Sequence, residues 1–198
     1  FSLAEPPYVA WCGPTRGSKS WMATRPEGTS VLTAGGEQYR RRAWIGAGRY
    51  ASVYQVECDD GDGGSQEYAL KVIQYRSPKE REAAFREAEI LTCLGHPQIV
   101  TLVDVFDGFE WGVPAVCLVL QWFPMDVAKF LQINDIREDV VRRWTEQLVE
   151  AVAYIHSQGV VHLDITPVNL LVSGTRNPSG EQKPLDLALT DFGVSRLV

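Results

Sequence analysis

The order of hydrophobic periodicities along this chain limits its fold more than any other feature. Residues 41–45, 52–57 and 67–75 alternate with the period of two that is typical of β-strands. A helical pattern follows, and residues 99–106 and 116–121 again have the composition of strands. Helical periods dominate residues 126–133 and 138–157, before short strands at 170–172 and 187–190. A strand-rich half followed by a helix-rich half predicts an α+β protein with two lobes.

The first 36 residues differ in composition from the rest of the chain. Nine of them are Gly or Pro, and eight more are Ser or Thr, without a sustained helical or strand period. Such a composition is typical of irregular segments. We therefore expect an irregular N-terminal extension over residues 1–36 and a folded domain over residues 37–198.

Composition and charge disfavour several classes of protein. The net charge of −6 gives no electrostatic support for a nucleic-acid partner. The longest apolar run, residues 113–123, is too short to span a bilayer, and no signal peptide is visible. Cys93 and Cys117 fall in apolar stretches and are predicted to be buried, reduced thiols. We expect an intracellular protein, in the cytoplasm or nucleus, with no nucleic-acid or membrane partner.

A lysine and a glutamate occupy positions that should face the interior. Lys71 lies among apolar residues on one face of its predicted strand. Residues 77–80 form a capping box that starts a helix, which we expect to end at Gly95. On that helix Glu87 lies in the middle of the apolar face, whereas Glu89 points the opposite way. Because a buried charge needs a partner, we predict that Lys71 pairs with Glu87.

Two glycines, Gly46 and Gly48, occupy the turn between the first two predicted strands. Glycines in such a turn allow backbone amides to approach phosphate oxygens closely. A plain hairpin is the alternative interpretation of this turn taken by itself. A strand rather than a helix follows the turn, which disfavours a Rossmann dinucleotide site.

Two short polar segments near the end of the chain carry the strongest chemical signal. Residues 162–169 contain Asp164 and Asn169, and residues 191–193 begin with Asp191. Two carboxylates and an amide suit one task, which is to hold Mg²⁺ while a hydroxyl is aimed at the terminal phosphate of a nucleotide. Asp164 alone would be interpreted as a turn or helix-cap residue. Together with the other two residues it is predicted to be catalytic.

Taken together, the motifs over residues 39–198 resemble those of eukaryotic protein kinases of the serine/threonine type. Residues 117–172 are most similar to cyclin-dependent kinases. The resemblance implies a five-stranded antiparallel N-lobe with one main helix (37–121), a hinge (121–124) and the first part of a helical C-lobe (125–198). It also implies phosphoryl transfer from Mg·ATP to a protein substrate, and a regulatory protein partner.

The resemblance further implies roles for individual residues. Asp164 would orient the substrate hydroxyl, Lys71 would contact the α- and β-phosphates of ATP, and Glu87 would orient Lys71. Asn169 and Asp191 would bind Mg²⁺. The other residues implied to contact ATP lie in the glycine turn, the sheet, the hinge and the C-lobe: Ile45, Gly46, Ala47, Gly48, Val53, Ala69, Leu120, Gln121, Phe123, Asp126 and Leu171.

The sequence departs from the family at several points. Leu163 replaces an arginine that pairs with a phosphorylated activation loop, and Thr166 replaces a lysine that neutralises the transferred phosphate. These changes leave open a pseudokinase, or a nucleotide-binding regulatory module without phosphotransfer. By the same resemblance the sequence is a fragment that stops at Val198, before helices expected to cover Trp144 and Leu148. We expect little phosphotransfer from this segment alone.

Overall fold

A computed structural model of the chain describes residues 30–32, 37–48, 51–59, 63–173 and 185–198. Most of the predicted extension, part of the glycine turn and the polar insert near residue 180 lie outside the described residues. Within the extension, β1 (Ser30–Leu32) pairs antiparallel with residues 38–40. The prediction of an irregular segment over residues 1–36 is therefore wrong for these three residues.

The strand-rich half forms one antiparallel sheet. Its other strands are β2 (Gln38–Ala47), β3 (Ala51–Asp59), β4 (Ser65–Gln74), β5 (Leu102–Glu110) and β6 (Val113–Gln121). The strand order is β1-β2-β3-β4-β6-β5, so the five predicted strands gain β1 as a sixth at one edge. The predicted strand at 99–106 begins and ends later, because Ile99 and Val100 instead contact Leu189 in the second half.

One long helix, α1 (Pro78–Cys93), packs on the sheet. The Ser77 hydroxyl accepts a hydrogen bond from the Glu80 amide, as the capping box predicted. The helix ends before Leu94, and the amide of the expected stop residue, Gly95, donates to the hydroxyl of Tyr154. The prediction of a buried thiol is confirmed for Cys117 but wrong for Cys93, which is exposed in the last turn.

The second half contains helices and short strand pairs. Strand β7 (Met125–Asp126) precedes helices α2 (Val127–Ile133) and α3 (Glu138–Ser157). Strands β7, β9 (Leu170–Val172) and β10 (Leu187–Leu189) form one small sheet, and β8 (Val160–Val161) pairs with β11 (Arg196–Leu197). A 3-10 turn, Pro167–Asn169, lies directly before β9.

The sheet takes part in two separate cores. On one side it packs with α1 and the helical half around Leu91, Leu118, Trp144 and Phe192, and we call this the main core. The other core lies within the sheet itself. Its side chains come from β2 to β6, and we call it the second core: Tyr39, Tyr54, Val56, Leu70, Val72, Phe106, Ala115, Cys117 and Val119. Tyr39 and Phe106 stack there although their strands are not neighbours, which shows that the sheet curls over this face.

Helix α3 buries the side that carries Trp144, Ala151 and Ile155. Trp144 is only 6% exposed, and its indole N–H donates to the carbonyl of Leu185 at 3.0 Å. Trp144 is thus already buried by the described residues, whereas Leu148 is only partly buried against the main core, and its cover by further helices stays a prediction. Val141 is exposed, and Gln147 takes a buried place because its amide bonds Asp186 and the Leu187 amide.

Replacing the Trp144 indole with a phenyl ring should measure how much the indole contributes to the stability of the fold. We expect Trp144→Phe to lower the free energy of unfolding by about 1–3 kcal/mol, since the Leu185 carbonyl loses its donor. The exposed Val149 on the same helix provides the control, and Val149→Ala should change stability by less than about 0.5 kcal/mol. Urea denaturation of the chain and both variants gives the comparison. Equal losses would show that Trp144 is not a core residue.

Candidate functional site

The ammonium of Lys71 lies between two carboxylates. Its Nζ atom is 2.8 and 2.7 Å from the two oxygens of Glu87, and 2.7 Å from Oδ1 of Asp191. Glu87 is 2% exposed, whereas Glu89 is exposed on the opposite side of α1. The predicted pair of Lys71 and Glu87 is confirmed. The contact with Asp191 was not predicted, because 120 residues separate it from Lys71 and no local period links them.

Charge neutralisation holds these three groups together. Burial acts to lower the pKa of Lys71, but the charges of Glu87 and Asp191 outweigh burial and raise it above the ordinary value. Burial also acts to raise the pKa of Asp191, and the attraction of Lys71 outweighs it and lowers that pKa. Lys71 is therefore held as a cation, as a buried ammonium between carboxylates should be.

The second polar group of the site lies on the loop after β8. The side-chain amide of Asn169 donates to Oδ2 and to the backbone carbonyl of Asp164, both at 2.9 Å. Asn169 is 7% exposed while Asp164 is exposed to solvent. The buried amide thus holds an accessible carboxylate in one orientation, which suits a group that must meet a substrate.

His162 and Thr190 connect the two loops that carry these residues. The His162 ring bonds the carbonyl of Thr190 through Nε2 at 3.0 Å, and the Asp164 amide donates to its Nδ1 at 3.3 Å. Burial lowers the pKa of His162, which favours the neutral ring that this pair of bonds requires. The Thr190 amide donates to the Asn169 carbonyl at 3.0 Å. Asp191 follows directly, so its position depends on both contacts.

A hydrophobic contact supports the same junction. The rings of His162 and Phe192 meet edge to face with 4.7 Å between centroids, and Phe192 is buried in the main core with Leu91. Asp191 adopts a positive φ of 64°, a conformation that non-glycine residues rarely take. Burial of Phe192 on one side and the Lys71 contact on the other hold Asp191 in this conformation.

The donor chemistry of the site fits Mg²⁺ bound together with phosphate. The side-chain nitrogen of Asn169 donates both of its hydrogen bonds to Asp164. The Oδ1 atom of Asn169 is therefore left as the atom able to bind a cation. Lys71, Glu87 and Asp191 together carry one net negative charge. Within the described residues, no three His, Cys, Asp or Glu side chains form a metal-binding group. One amide and one carboxylate suit Mg²⁺, which keeps waters and takes phosphate oxygens as further ligands.

The sheet aligns the predicted ATP-binding residues of the N-lobe. Across three neighbouring strands, Gly46 pairs with Val53 and Val53 pairs with Lys71. Ala69 pairs with Leu120 on the next strand, at the end that leads into the predicted hinge. These residues therefore follow one side of the sheet from the glycine turn towards the hinge. Ile45 and Ala47 flank Gly46 on β2, in the part of the strand next to the turn.

The glycines of the turn are not required by internal packing. A Cβ atom at Gly46 would meet no other atom within 4 Å, and one at Gly48 would meet only the Ala51 carbonyl at 3.9 Å. Neither glycine has a φ in the left-handed range. The open space above them is consistent with the close approach of a ligand to the backbone.

The predicted contacts on the C-lobe side lie next to the hinge. Gln121 ends β6, and its backbone amide donates to the Thr101 carbonyl at 2.9 Å. Phe123, two residues later, is half-buried. Asp126 pairs with Leu171 between β7 and β9. The Asp126 carboxylate also caps α2 through the Lys129 amide at 2.8 Å, a structural task that its predicted ribose contact does not include.

Comparison with known proteins identifies the family of this chain. The family model described as a protein kinase domain matches residues 39–198. The chain belongs to the protein kinase family. The predicted family is therefore confirmed, and so is the predicted fold class, a two-lobed α+β kinase fold. Among the described residues of this kinase chain, no helix is long and apolar enough to cross a membrane.

Curated kinases from distant organisms match most of the chain. It is 31% identical over 189 residues to human serine/threonine-protein kinase Kist, covering 89% of the chain and 42% of that protein. Calcium/calmodulin-dependent protein kinase cmkB of Emericella nidulans is 36% identical over 166 residues (81% and 38%). The probable CTD kinase subunit alpha homolog of Encephalitozoon cuniculi is 29% identical over 165 residues (83% and 45%). The kinase chain thus spans less than half the length of each relative.

The two glutamates of α1 allow a matched test of the ion pair. Glu87→Gln leaves Lys71 with Asp191 alone, and we expect it to lower the free energy of unfolding by about 1–3 kcal/mol. Glu89→Gln, on the exposed side of the same helix, should change it by less than about 0.5 kcal/mol. Urea denaturation without nucleotide measures both. Equal effects would contradict a structural role for the buried pair.

Proposed function

We propose that this kinase chain binds Mg·ATP and supports transfer of its terminal phosphate to a serine or threonine hydroxyl of a protein. The observation that carries the proposal is the Lys71 ammonium, held by Glu87 and Asp191 at one end of the site. A preorganised cation beside a metal-binding carboxylate suits the charge distribution of phosphoryl transfer. The serine/threonine type is further supported by the names of its relatives.

Each residue has one task in this proposal. Lys71 binds the α- and β-phosphates, and Glu87 keeps the lysine in place when it exchanges its contact with Asp191 for phosphate. Asn169 and Asp191 would hold Mg²⁺, which supplies charge neutralisation on the phosphate oxygens. Asp164, accessible and oriented by Asn169, accepts the hydrogen bond of the substrate hydroxyl and directs it towards the phosphate.

The adenine and ribose are proposed to lie between the sheet and β9. Val53, Ala69 and Leu171 are partly buried apolar residues suited to enclose a flat ring, and Leu120 closes the inner end. Backbone groups of Gln121 and Phe123 would bind the edge of the base, and Asp126 the ribose. Ile45, Gly46, Ala47 and Gly48 would cover the phosphates with backbone amides.

A nucleotide-binding module without phosphotransfer is the second candidate. Two observations favour it. Residues 162–169 include no Lys or Arg, and the hydroxyl of Thr166 is a buried atom without a hydrogen-bond partner among the described residues. A cation that neutralises the transferred phosphate is thus missing from this loop, and a group of that kind contributes about 3–4 kcal/mol to the transition state.

Two measurements on the chain separate these candidates. We expect Mg·ATP to bind with a Kd below about 1 mM in calorimetric titration, which is an affinity of about 4 kcal/mol or more. Asp191→Asn should weaken binding because a metal ligand is lost, whereas Asp139→Asn, on an exposed aspartate of α3, should not. The low level of phosphate transfer to protein acceptors that we expect from this segment should disappear in Asp164→Asn while binding remains. Binding without transfer would support the regulatory module, and no binding at millimolar Mg·ATP would exclude both.

Restoring the missing cation gives a separate prediction. We expect Thr166→Lys to raise the rate of phosphotransfer about tenfold, because a positive charge near the transferred phosphate stabilises its transition state. Thr145→Lys adds the same charge on an exposed position of α3 and should leave the rate unchanged. Initial rates at saturating Mg·ATP provide the measurement. A rate that does not rise would indicate that Thr166 does not limit the reaction.

A further inference from the structure

A second buried ionic group lies in the sheet, away from the candidate active site. Nη2 of Arg41 on β2 is 2.7 Å from Oε2 of Glu110 at the end of β5. The hydroxyl of Tyr54 on β3 donates to Oε1 of the same carboxylate at 2.5 Å. The guanidinium also lies over the Tyr54 ring, 4.3 Å from its centroid. We call these three side chains the clasp.

The clasp is buried as deeply as the catalytic ion pair. The Glu110 side chain is 2% exposed and that of Arg41 is 11% exposed. Burial and the hydrogen bond to Glu110 raise the pKa of Tyr54, so the phenol stays neutral and keeps its donor. Removing one partner from a buried pair of this kind leaves the other charge uncompensated. Apolar side chains of similar volume could pack in the same place without the cost of burying charges. The stability of the fold therefore does not explain the clasp, and a role in fixing the position of its strands does.

The clasp joins β5 to two strands with which it does not pair. In the sheet order β1-β2-β3-β4-β6-β5, two strands separate β3 from β5 and three separate β2 from β5. The curl of the sheet over the second core brings Glu110 across to Arg41 and Tyr54. Gln74 of β4 adds a bond from its amide to the Glu110 carbonyl at 3.2 Å, which fixes the end of β5.

The joined strands are the two that carry the glycine turn. Pairing of β2 with β3 shifts register between Arg41 and Ala43, and again between Trp44 and Gly46. Such irregularities interrupt the ladder of backbone bonds and bend the strand. The backbone alone therefore fixes this end of the hairpin weakly. The clasp holds β2 at Arg41, before the first shift, and holds β3 at Tyr54, next to Val53, the partner of Gly46.

We propose that the clasp positions the glycine turn, so that Arg41, Tyr54 and Glu110 set the affinity of the site for nucleotide without touching it. The inference rests on the proposed function for its nucleotide. The three residues are positioning residues: they anchor both strands of the hairpin to β5, and Gly46 and Gly48 follow Arg41 along β2 and just beyond it.

Two clasp variants and one matched control test the proposal on the chain. Tyr54→Phe removes only the hydroxyl donor, and Glu110→Gln removes the charge with little change of shape. The control, Phe106→Leu, loosens the second core on β5 and leaves the three clasp side chains unchanged. Stability is measured by urea denaturation. The other measurements are made in conditions where every variant is more than 95% folded, which requires a free energy of unfolding above about 1.7 kcal/mol. Hydrogen exchange of amides 44–53 is followed without nucleotide, and the Kd for Mg·ATP by calorimetry.

We expect Tyr54→Phe and Glu110→Gln to accelerate exchange in residues 44–53 and to raise the Kd about five- to tenfold, within the range of mutations that act through a packed network. Phe106→Leu should change both by less than about twofold at a similar stability. Unchanged exchange in the clasp variants overturns the proposal, and so does faster exchange with an unchanged Kd. If the unmodified chain does not bind Mg·ATP, the proposed function fails, and exchange alone decides whether the clasp positions the turn.

Discussion

The placement of one buried positive charge governs the architecture of the site. Lys71 projects from β4, and burying its charge without a partner would cost free energy. Glu87 compensates it from α1, and Asp191 compensates it from the loop after β10. A strand, a helix and a distant loop are thereby fixed around a single ammonium group. If β4 or α1 moved away, the buried carboxylate of Glu87 or the buried ammonium of Lys71 would lose its nearest opposite charge in a region of low dielectric.

The second half of the chain positions its polar groups by backbone contacts instead. Asp164 and Asn169 lie on a loop that is fixed to the neighbouring segment by the Thr190 carbonyl and amide. Neutral His162 mediates one of these bonds and packs on Phe192, so a hydrophobic contact and hydrogen bonds act at the same place. The site is thus assembled from an ionic part in the sheet lobe and a hydrogen-bonded part in the helical lobe.

Much of this arrangement could be predicted from the sequence wherever the helical or strand periodicity of hydrophobic residues shows which way a side chain points. The helical wheel placed Glu87 inward and Glu89 outward, and strand alternation placed Lys71 inward. Contacts between distant residues were missed, because no period relates Lys71 to Asp191 or Arg41 to Glu110. On α3, hydrophobicity alone does not explain why Val141 is exposed while Gln147 is buried. The amide of Gln147 is buried because Asp186 and the Leu187 backbone satisfy it.

The second core has a consequence for how the molecule opens. Its nine buried side chains all come from β2 to β6, so this core needs neither α1 nor the helical half. Cooperative units of local unfolding follow such self-contained sets of contacts. The curled side of the sheet should therefore retain slow amide exchange in conditions where α2, α3 and the short strand pairs have already become labile. Loosening of the helical lobe would then release the loop of Asp164 and Asn169 first, while the hairpin of β2 and β3 kept its shape.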